Sequence, residues 1–340
     1  MKKLLLVLKV GSVRFTAFYF LAFYTAAAAT GHGGVGWVLV GLALWSTMCV
    51  AIELTNRYAD RTEDAINRPE RTRLCHALGY PTLAVLAAAI FALHLLAYVL
   101  WFCVSHNLTL LTVQLASWTV AWGYSVGPRF KAHRFGVLVA LCGTFVLPLL
   151  YGWVMYGSLR DVPLALLFVV AFVASISGAK DVTDVEGDRR RGYHSVFVAL
   201  TRLSRSAPLV ALLLAPYGLL VLLVALGSVE PRFLALTLFI PISFLFARLL
   251  RSARAGDEAQ CVREWVYHFW FVVLCATMAL IHGSAGHLLV IVATMVFWVV
   301  ATRRLHWHDQ GLRPEALLLA LQILLGGRRD SAPGFGSPPG

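Results

Sequence analysis

Apolar runs of about twenty residues follow one another along most of this chain, the length at which a helix crosses a hydrocarbon core of about 30 Å. With 59% hydrophobic and only 14% charged residues, the 340-residue chain has more apolar surface than one soluble core needs. We therefore predict an all-α, polytopic membrane helical bundle. Its predicted spans lie near residues 12–30, 35–54, 80–102, 108–124, 135–156, 162–180, 207–227, 231–250, 266–283 and 286–302.

The basic residues alternate with these spans in a way that indicates orientation. If the N-terminus is cytoplasmic, 27 of the 29 Lys and Arg residues fall on the cytoplasmic side, and only Arg160 and Arg232 fall outside. The positive-inside rule predicts this bias. We therefore expect a protein of the cytoplasmic membrane with an even number of spans. The net charge of +12 favours membrane lipids with anionic headgroups as partners, and the division of basic residues among loops argues against nucleic acid.

The two ends of the chain differ from the middle. The first residues resemble a signal peptide only briefly, because Lys9 and Arg14 interrupt the apolar run, and we expect an uncleaved cytoplasmic N-terminus. Residues 1–304 are predicted to form the membrane domain and residues 305–340 a cytoplasmic tail. Within that tail, Ala316 to Leu325 is too short to span and is predicted to be an interfacial helix. The Gly-, Pro- and Ser-rich end is predicted to be disordered.

Two acidic clusters stand at the ends of predicted spans. The first motif consists of Asn56, Asp60 and Asp64, spaced i, i+4 and i+8. The second motif consists of Asp181, Asp184 and Asp188, spaced i, i+3 and i+7. Each spacing places its residues on one face of a helix. Because carboxylates are costly near a bilayer, we interpret the two motifs as one functional site on the cytoplasmic face.

The chemistry of this site follows from its ligand types. Carboxylate and amide oxygens suit Mg²⁺, which keeps some of its waters and is completed by substrate phosphates. Cations flank both motifs, namely Arg57, Arg61, Arg68, Arg71, Lys180 and Arg189 to Arg191. Metal and guanidinium groups together can hold a diphosphate and stabilise it as a leaving group. The alternative is a set of solvated salt bridges, which two matched motifs on one membrane face disfavour.

A third segment runs from Tyr124 to Lys131 at the inner end of the fourth predicted span. Its Gly127-Pro128 step is expected to end the helix. Arg129 and Lys131 would then add two cations at the same membrane face. Taken alone, the segment is more typical of a positive-inside anchor than of a binding site.

Together the three segments resemble the motifs of the UbiA superfamily of intramembrane prenyltransferases. The family's first motif, N-D-x-x-D-x-x-x-D, is matched at its spaced positions by Asn56, Asp60 and Asp64, and residues 67–71 look like its N-R-P-x-R continuation. Its second motif, D-x-x-D-x-x-G-D, is matched by Asp181, Asp184, Gly187 and Asp188, with Lys180 before it. Tyr124 and Lys131 resemble its tyrosine-to-lysine segment. The resemblance covers about residues 10 to 285.

Two features depart from the family pattern. Arg57 stands where the family usually has an acidic or amide residue, which lowers the number of carboxylates in the first motif. The family is usually described with nine helices, whereas ten apolar runs occur here. We therefore predict nine core transmembrane helices and a tenth, C-terminal span near 286–302.

The resemblance implies Mg²⁺-dependent transfer of an isoprenyl group from a prenyl diphosphate to an aromatic or other lipophilic acceptor, through an allylic carbocation. The implied metal ligands are Asn56, Asp60, Asp64, Asp181, Asp184 and Asp188. The implied diphosphate contacts are Arg71, Arg129, Lys131 and Lys180, with Asn56 orienting the shell. Asp60, Asp64, Asp184 and Asp188 would carry catalysis through the metal. Either a carboxylate or Tyr124 would remove the proton from the acceptor.

Two other functions stay open at this point. A terpene cyclase of the same fold would ionise the same donor and use the donor's own alkene as the nucleophile, and Arg57 favours this alternative slightly. A transporter or ion-binding scaffold would use the acidic sites for coupling or structure. Clustering of the acidic residues at one membrane face argues against a transporter, whose sites usually lie near the midplane.

Overall fold

The computed structural model describes residues 2–177, 207–252, 257–307 and 314–325, and these residues form helices and turns without a β-strand. The α-helices are α1 Lys2–Val10, α2 Thr16–Ala29, α3 Val35–Ala59, α4 Arg61–Asn67, α5 Pro69–Leu78, α6 Tyr80–Ser105, α7 Leu108–Gly123, α8 Arg134–Val154, α9 Leu166–Ser177, α10 Ala207–Ala225, α11 Ile240–Ser252, α12 Asp257–Ile281, α13 Ala285–Arg304 and α14 Pro314–Leu325. Segments of 3₁₀ helix occur at Val13–Phe15, Phe130–Ala132, Leu159–Asp161 and Pro231–Phe239. The predicted all-α class is confirmed.

Seven helical segments in these ranges are long and apolar enough to cross a membrane. They are Val35–Ala59, Tyr80–Ser105, Gly136–Val154, Pro208–Ala225, Pro231–Leu250, Glu258–Ile281 and Ala285–Arg304. An eighth results if Lys3–Val10 and Val13–Ala29 are counted as one span bent by 61°. Helices α7 and α9, with 16 and 12 residues, are apolar but shorter. Every predicted span therefore coincides with a helical segment, while the count of nine core spans and a tenth stays a prediction.

Helix α2 lies at the centre of the bundle. Its sequence is apolar on every side, a pattern typical of a helix surrounded by other helices, and it is buried from Thr16 to Ala28. Helices α3, α8, α12 and α13 pack around it. The backbones of α2 and α8 lie close together at Gly152, where a Cβ atom would be only 2.4 Å from the carbonyl oxygen of Phe23. Small residues at such crossings let membrane helices approach.

Helix α6 shows how the outer helices face lipid. It packs against α3. Its buried residues form one stripe, namely Leu83, Ala87, Phe91, His94 and Tyr98. Large apolar side chains elsewhere on α6, including Leu93 and Leu96, are exposed. An apolar surface of this kind suits a lipid environment, because hydrocarbon tails replace water around it. The chain is accordingly an integral membrane protein.

The bend between α1 and α2 brings polar residues to one end of the bundle. Between α1 and α2 the backbone of Ser12 adopts the left-handed conformation, with φ 44°. The 3₁₀ turn that follows places Arg14 against the start of α12, where it is 1% exposed. Helices α4 and α5 lie at the same end, because they continue from the end of α3, and α5 packs on α1.

Candidate active site

A cavity opens at this end of the bundle, and it contains most of the residues that the motifs predict. Its charged rim includes Asn56, Asp60, Asp64, Arg71 and Lys131, with Tyr124 beside them. Its deeper part is apolar and aromatic. In the described ranges its lining includes six cations, Arg14, Arg57, Arg68, Arg71, Lys131 and Arg263, and four carboxylates, Glu53, Asp60, Glu63 and Asp64; a fifth carboxylate, Glu264, lies behind this lining and pairs with Arg14.

The first motif keeps its predicted common face although the helix that carries it is interrupted. Helix α3 ends at Ala59, and α4 begins at Arg61. The backbone hydrogen bonds nevertheless continue across the break, from Asp60 N to Asn56 O at 2.8 Å and from Asp64 N to Asp60 O at 2.8 Å. Because each bond joins residues four apart, the three side chains stay in one row along the cavity rim.

Asp64 is held by an ion pair and keeps one oxygen available. Its Oδ1 accepts a hydrogen bond from Arg71, and both side chains are buried. Burial raises the pKa of Asp64, but Arg71, Arg57 and Arg68 outweigh burial and lower the pKa overall. Its Oδ2 and the Oδ1 of Asn56 are buried without a hydrogen-bond partner in the described ranges. Two buried oxygens of this kind fit a hard divalent cation such as Mg²⁺.

Arg71 is buried close to other cations. Burial, together with the charge of Arg57, lowers its pKa to about 9, although Asp64 opposes this shift. The guanidinium stays charged near neutral pH, but its charged form is less stable than in water. An added anion would relieve this repulsion. The rim is therefore suited to a multiply charged anion.

The segment from Tyr124 to Lys131 packs against the first motif. Helix α7 ends at Gly123, before the Gly127-Pro128 step, and Lys131 N donates to Tyr124 O at 3.2 Å. Lys131 Nζ contacts Asp60 Oδ1, and Ser125 Oγ donates to Asp60 Oδ2 at 3.3 Å. Burial raises the pKa of Asp60, and Lys131 limits the rise. The predicted third segment is thus in direct contact with the first motif.

Arg57, the departure in the first motif, has a partner of its own. It forms an ion pair with Glu53, one helical turn earlier, and donates to Ser12 Oγ at 3.3 Å. Both Arg57 and Glu53 line the cavity. The additional cation is therefore balanced within the cavity by an additional carboxylate, and the two residues act as one charge-neutral unit.

Several residues of the cavity escaped the motif-based prediction. Arg14 and Glu53 are charged residues inside predicted spans, a signal that could have identified them. Glu63 belongs to the first acidic cluster; it is buried, and its Oε1 lies 3.4 Å from Arg129 and 3.9 Å from Lys131. No comparable signal marks Glu264, Arg263, His306 or Trp307.

The turn after α13 and the start of α12 form one wall of the cavity. Arg14 binds the fully buried Glu264 with distances of 2.5 and 3.2 Å, and Gln260 donates to the same carboxylate at 3.1 Å. His306 Nε2 lies 3.6 Å from Glu264. The guanidinium of Arg71 lies 5.5 Å from the ring centroid of Trp307. His306 and Trp307 belong to the tail that the sequence predicts, whereas in the structure both line the cavity.

Beneath the charged rim the cavity becomes aromatic. Phe145 and Trp270 have ring centroids 4.3 Å apart, and Tyr19 lies 5.7 Å from Phe145. A smaller cavity shares Tyr19 with the first and extends along α3 past Met48 to Trp45. An apolar ligand segment would bury its surface here, and a cation would face aromatic rings.

Other predicted residues cannot be placed in this cavity. Arg129 does not line it; its side chain is 40% exposed and contacts Glu63 from outside. Lys180 and the whole second motif, Asp181, Asp184 and Asp188, lie outside the described residues. Among the described ones, no group of three or more His, Cys, Asp or Glu side chains is arranged to hold a metal ion. A metal bound by the first motif alone would thus depend on Asn56 and on ligands from elsewhere.

Comparison with known proteins adds an independent finding. The profile of the UbiA prenyltransferase family matches residues 17–269. No curated protein sequence matches the chain.

Three solved structures share the fold. A UbiA homolog from Archaeoglobus fulgidus bound to GPP and Mg²⁺ is 17% identical, with a TM-score of 0.54, and the match covers 81% of this chain and 100% of that chain. The structure of a UbiA homolog from the same organism, with no ligand named, is 18% identical, with a TM-score of 0.52, and the match covers 84% and 100%. A structure bound to Cd²⁺ is 17% identical, with a TM-score of 0.52, and the match covers 80% and 99%.

Proposed function

Because this chain belongs to the UbiA prenyltransferase family, we propose that it transfers an isoprenyl group from a prenyl diphosphate to an aromatic or other lipophilic acceptor. The observation that carries the proposal is a cavity in which a buried rim of cations and carboxylates stands over an aromatic chamber. A prenyl diphosphate has the same two parts, a polyanionic head and an apolar tail.

The rim would hold the diphosphate together with Mg²⁺. Asn56 Oδ1 and Asp64 Oδ2 supply buried oxygens of the type that Mg²⁺ prefers, and Asp60 lies between them along the same face. We assign Asp181, Asp184 and Asp188 to the same metal-binding shell from their sequence pattern. The homolog bound to GPP and Mg²⁺ supports this cofactor. When bound, Mg²⁺ would neutralise charge on the diphosphate and make it a better leaving group.

The cations of the rim would orient the diphosphate. Arg71 and Lys131 already contact Asp64 and Asp60, so each can bridge a metal ligand and a phosphate oxygen. Lys180 is assigned the same role from the sequence. Arg129, which contacts Glu63 outside the cavity, would act at longer range.

The aromatic chamber would protect the allylic cation that remains after diphosphate leaves. Water must be excluded from this cation, and ring faces stabilise it by cation–π attraction. Phe145, Trp270 and Tyr19 are among the aromatic residues that line the cavity. The acceptor would enter the same chamber and attack the cation with an electron-rich carbon.

The direct test is the identification of products by mass spectrometry. Purified protein is incubated with Mg²⁺, one of three donors (dimethylallyl, geranyl or farnesyl diphosphate) and a panel of phenols and quinols. Prenylated acceptor is the expected product. A cyclic hydrocarbon formed from donor alone would replace the proposal by a terpene cyclase. Ion flux in proteoliposomes without any prenyl chemistry would replace it by a transporter.

The proposed orientation places the cavity at the cytoplasmic face of the cytoplasmic membrane. The distribution of basic residues supports this assignment, since α1, the first motif and the Tyr124 to Lys131 segment all lie at the same end of the bundle. Labelling of an engineered cysteine at position 73, beside the rim, would test it. A reagent that cannot cross the membrane should label this cysteine only in inverted vesicles.

A further inference from the structure

The cavity contains one basic group that the prenyl-transfer chemistry described above does not use. His306 is 5% exposed and lines the cavity; its Nε2 faces Glu264 at 3.6 Å, and its Nδ1 has no hydrogen-bond partner in the described ranges. It comes from the turn after α13, beyond residue 269, where the match to the family profile ends. A buried ring nitrogen without a hydrogen-bond partner calls for a ligand, because leaving a buried polar atom unsatisfied is costly.

Prenylation of an aromatic carbon needs a base, and the carboxylates in and beside the cavity are poorly suited to that task. Each contacts a cation: Glu53 with Arg57, Asp60 with Lys131, Glu63 with Arg129, Asp64 with Arg71, and Glu264 with Arg14. A cation at hydrogen-bond or ion-pair distance occupies a carboxylate oxygen and favours the ionised form, even at Asp60, where Lys131 limits the rise in pKa that burial causes. Tyr124 carries its own proton in the neutral form and would have to lose it first.

The groups that face His306 hold it in the form that accepts a proton. They are Glu264 and Arg263 from α12 and Arg14 from the N-terminal turn. Burial lowers the pKa of His306 well below its ordinary value, Arg14 lowers it further, and Glu264 only partly opposes them. The imidazole is therefore neutral near pH 7 and has one nitrogen lone pair.

We propose that His306 accepts the proton that the aromatic acceptor loses after prenylation, and that Glu264 positions it. This inference rests on the prenyl transfer proposed above. The arrangement of a base with an oriented carboxylate behind it is a common device in catalysis, since the carboxylate fixes the ring and stabilises its charged form.

The step balances without a further reactant. Diphosphate leaves with the electron pair of the donor's carbon–oxygen bond, and an electron pair of the acceptor ring forms the new carbon–carbon bond. The carbon–hydrogen bond at the attacked carbon then breaks, its electron pair restores the aromatic ring, and its proton moves to Nδ1 of His306, the ring nitrogen that does not face Glu264. The resulting imidazolium lies 3.6 Å from Glu264. It returns its proton to water after product release.

A matched pair of variants tests the role of His306. His306→Asn removes the basic nitrogen and keeps a polar side chain of similar shape. The control, His106→Asn, makes the same change at an exposed residue after α6 whose left-handed backbone, with φ 49°, asparagine tolerates well. The probes are geranyl diphosphate with Mg²⁺ and two acceptors, hydroquinone and 1,4-dihydroxynaphthalene, each also with deuterium on the ring.

We expect kcat of His306→Asn to fall by at least about 100-fold, with the Kd for geranyl diphosphate within about 3-fold of wild type. Loss of ring hydrogen should become rate-limiting, so deuterated acceptor should react at least about 2-fold more slowly in this variant and at an unchanged rate in wild type. Added imidazole should restore part of the rate. The His106→Asn control should match wild type throughout.

The inference would be overturned if His306→Asn retained kcat within about 3-fold of wild type, or if kcat fell without an isotope effect. An intact donor Kd shows that the variant is folded, and His306→Gln repeats the test if His306→Asn is not. If the prenyl transfer proposed above is wrong, wild type itself gives no prenylated acceptor, which distinguishes this outcome from a failure of the role proposed for His306.

Discussion

The carboxylate of Glu264 lies 2.5 Å from the guanidinium of Arg14, although 250 residues separate them in the chain. The two side chains are 0% and 1% exposed. Arg14 also stands over three aromatic rings, with its guanidinium carbon 5.0 Å from the ring centroid of Phe15, 5.1 Å from that of Trp298 and 5.5 Å from that of Tyr267. This pair joins the N-terminal bend to α12 and α13 at the wall of the cavity.

Removal of one member of this pair should destabilise the protein strongly. Glu264→Ala leaves a buried guanidinium without its counter-charge, and we expect a loss of about 3–5 kcal/mol in the free energy of unfolding. The control is Glu230→Ala, which breaks an exposed pair with Arg232 and should cost less than about 1 kcal/mol. Unfolding by sodium dodecyl sulfate in mixed micelles measures both. Equal losses for the two variants would show that the buried pair does not hold this wall.

Gly152 should be required for the contact between α2 and α8. In Gly152→Ala the new methyl group would meet the carbonyl oxygen of Phe23 at 2.4 Å, so the helices must separate, and we expect a loss of about 1–3 kcal/mol. The control, Gly218→Ala in α10, has open space at the same atom and should be neutral or stabilising by up to about 1 kcal/mol. A Gly152→Ala protein as stable as its control would contradict the close helix crossing.

Because Arg57 and Glu53 form an ion pair, the effect of changing Arg57 should depend on the residue at position 53. Arg57→Asp supplies the type of residue that the family pattern has there, but it leaves Glu53 without its cation and adds a second negative charge one turn away. We expect loss of both activity and stability. Adding Glu53→Gln should recover both, because the like-charge repulsion disappears. Diphosphate release and thermal unfolding measure the two effects, and additive losses in the double variant would contradict the pairing.

Trp307 should contribute to donor binding through Arg71. Its ring faces the guanidinium at 5.5 Å, and a cation–π contact of this type contributes about 0.5–2 kcal/mol. We expect Trp307→Leu to weaken binding of geranyl diphosphate in the presence of Mg²⁺ by about 3- to 30-fold, whereas Trp307→Phe keeps most of the affinity. Isothermal titration calorimetry measures the Kd. A matched change at the exposed Trp101, Trp101→Leu, should have no effect.

The sequence was sufficient for the helical class, the positions of the helices and the first motif, because each rests on a local pattern. Apolar runs mark α3 and α6 directly, and the spacing of Asn56, Asp60 and Asp64 places them in one row even across a helix break. For Lys131 and Asp60 the sequence predicts only that both lie at the same membrane face; it does not predict that they are in contact.

The remainder of the cavity depends on tertiary structure. Arg14 meets Glu264 only because the chain bends at Ser12 and α12 packs beside α2. His306 and Trp307 follow a span whose sequence carries no chemical motif, and the packing of α13 in the bundle brings them to the cavity. Contacts between residues 250 apart have no periodicity that a single sequence could show.

The central claim is that the first motif holds Mg²⁺ and a prenyl diphosphate at the cavity rim. Its most direct test is Mg²⁺-dependent release of diphosphate from geranyl diphosphate, with acceptor present, by wild type, Asp64→Asn and the control Asp161→Asn, an exposed aspartate in the loop after α8. We predict release by wild type and by the control, and a fall of at least about 100-fold in Asp64→Asn. Equal release by Asp64→Asn and wild type, or no release by wild type, would contradict the account.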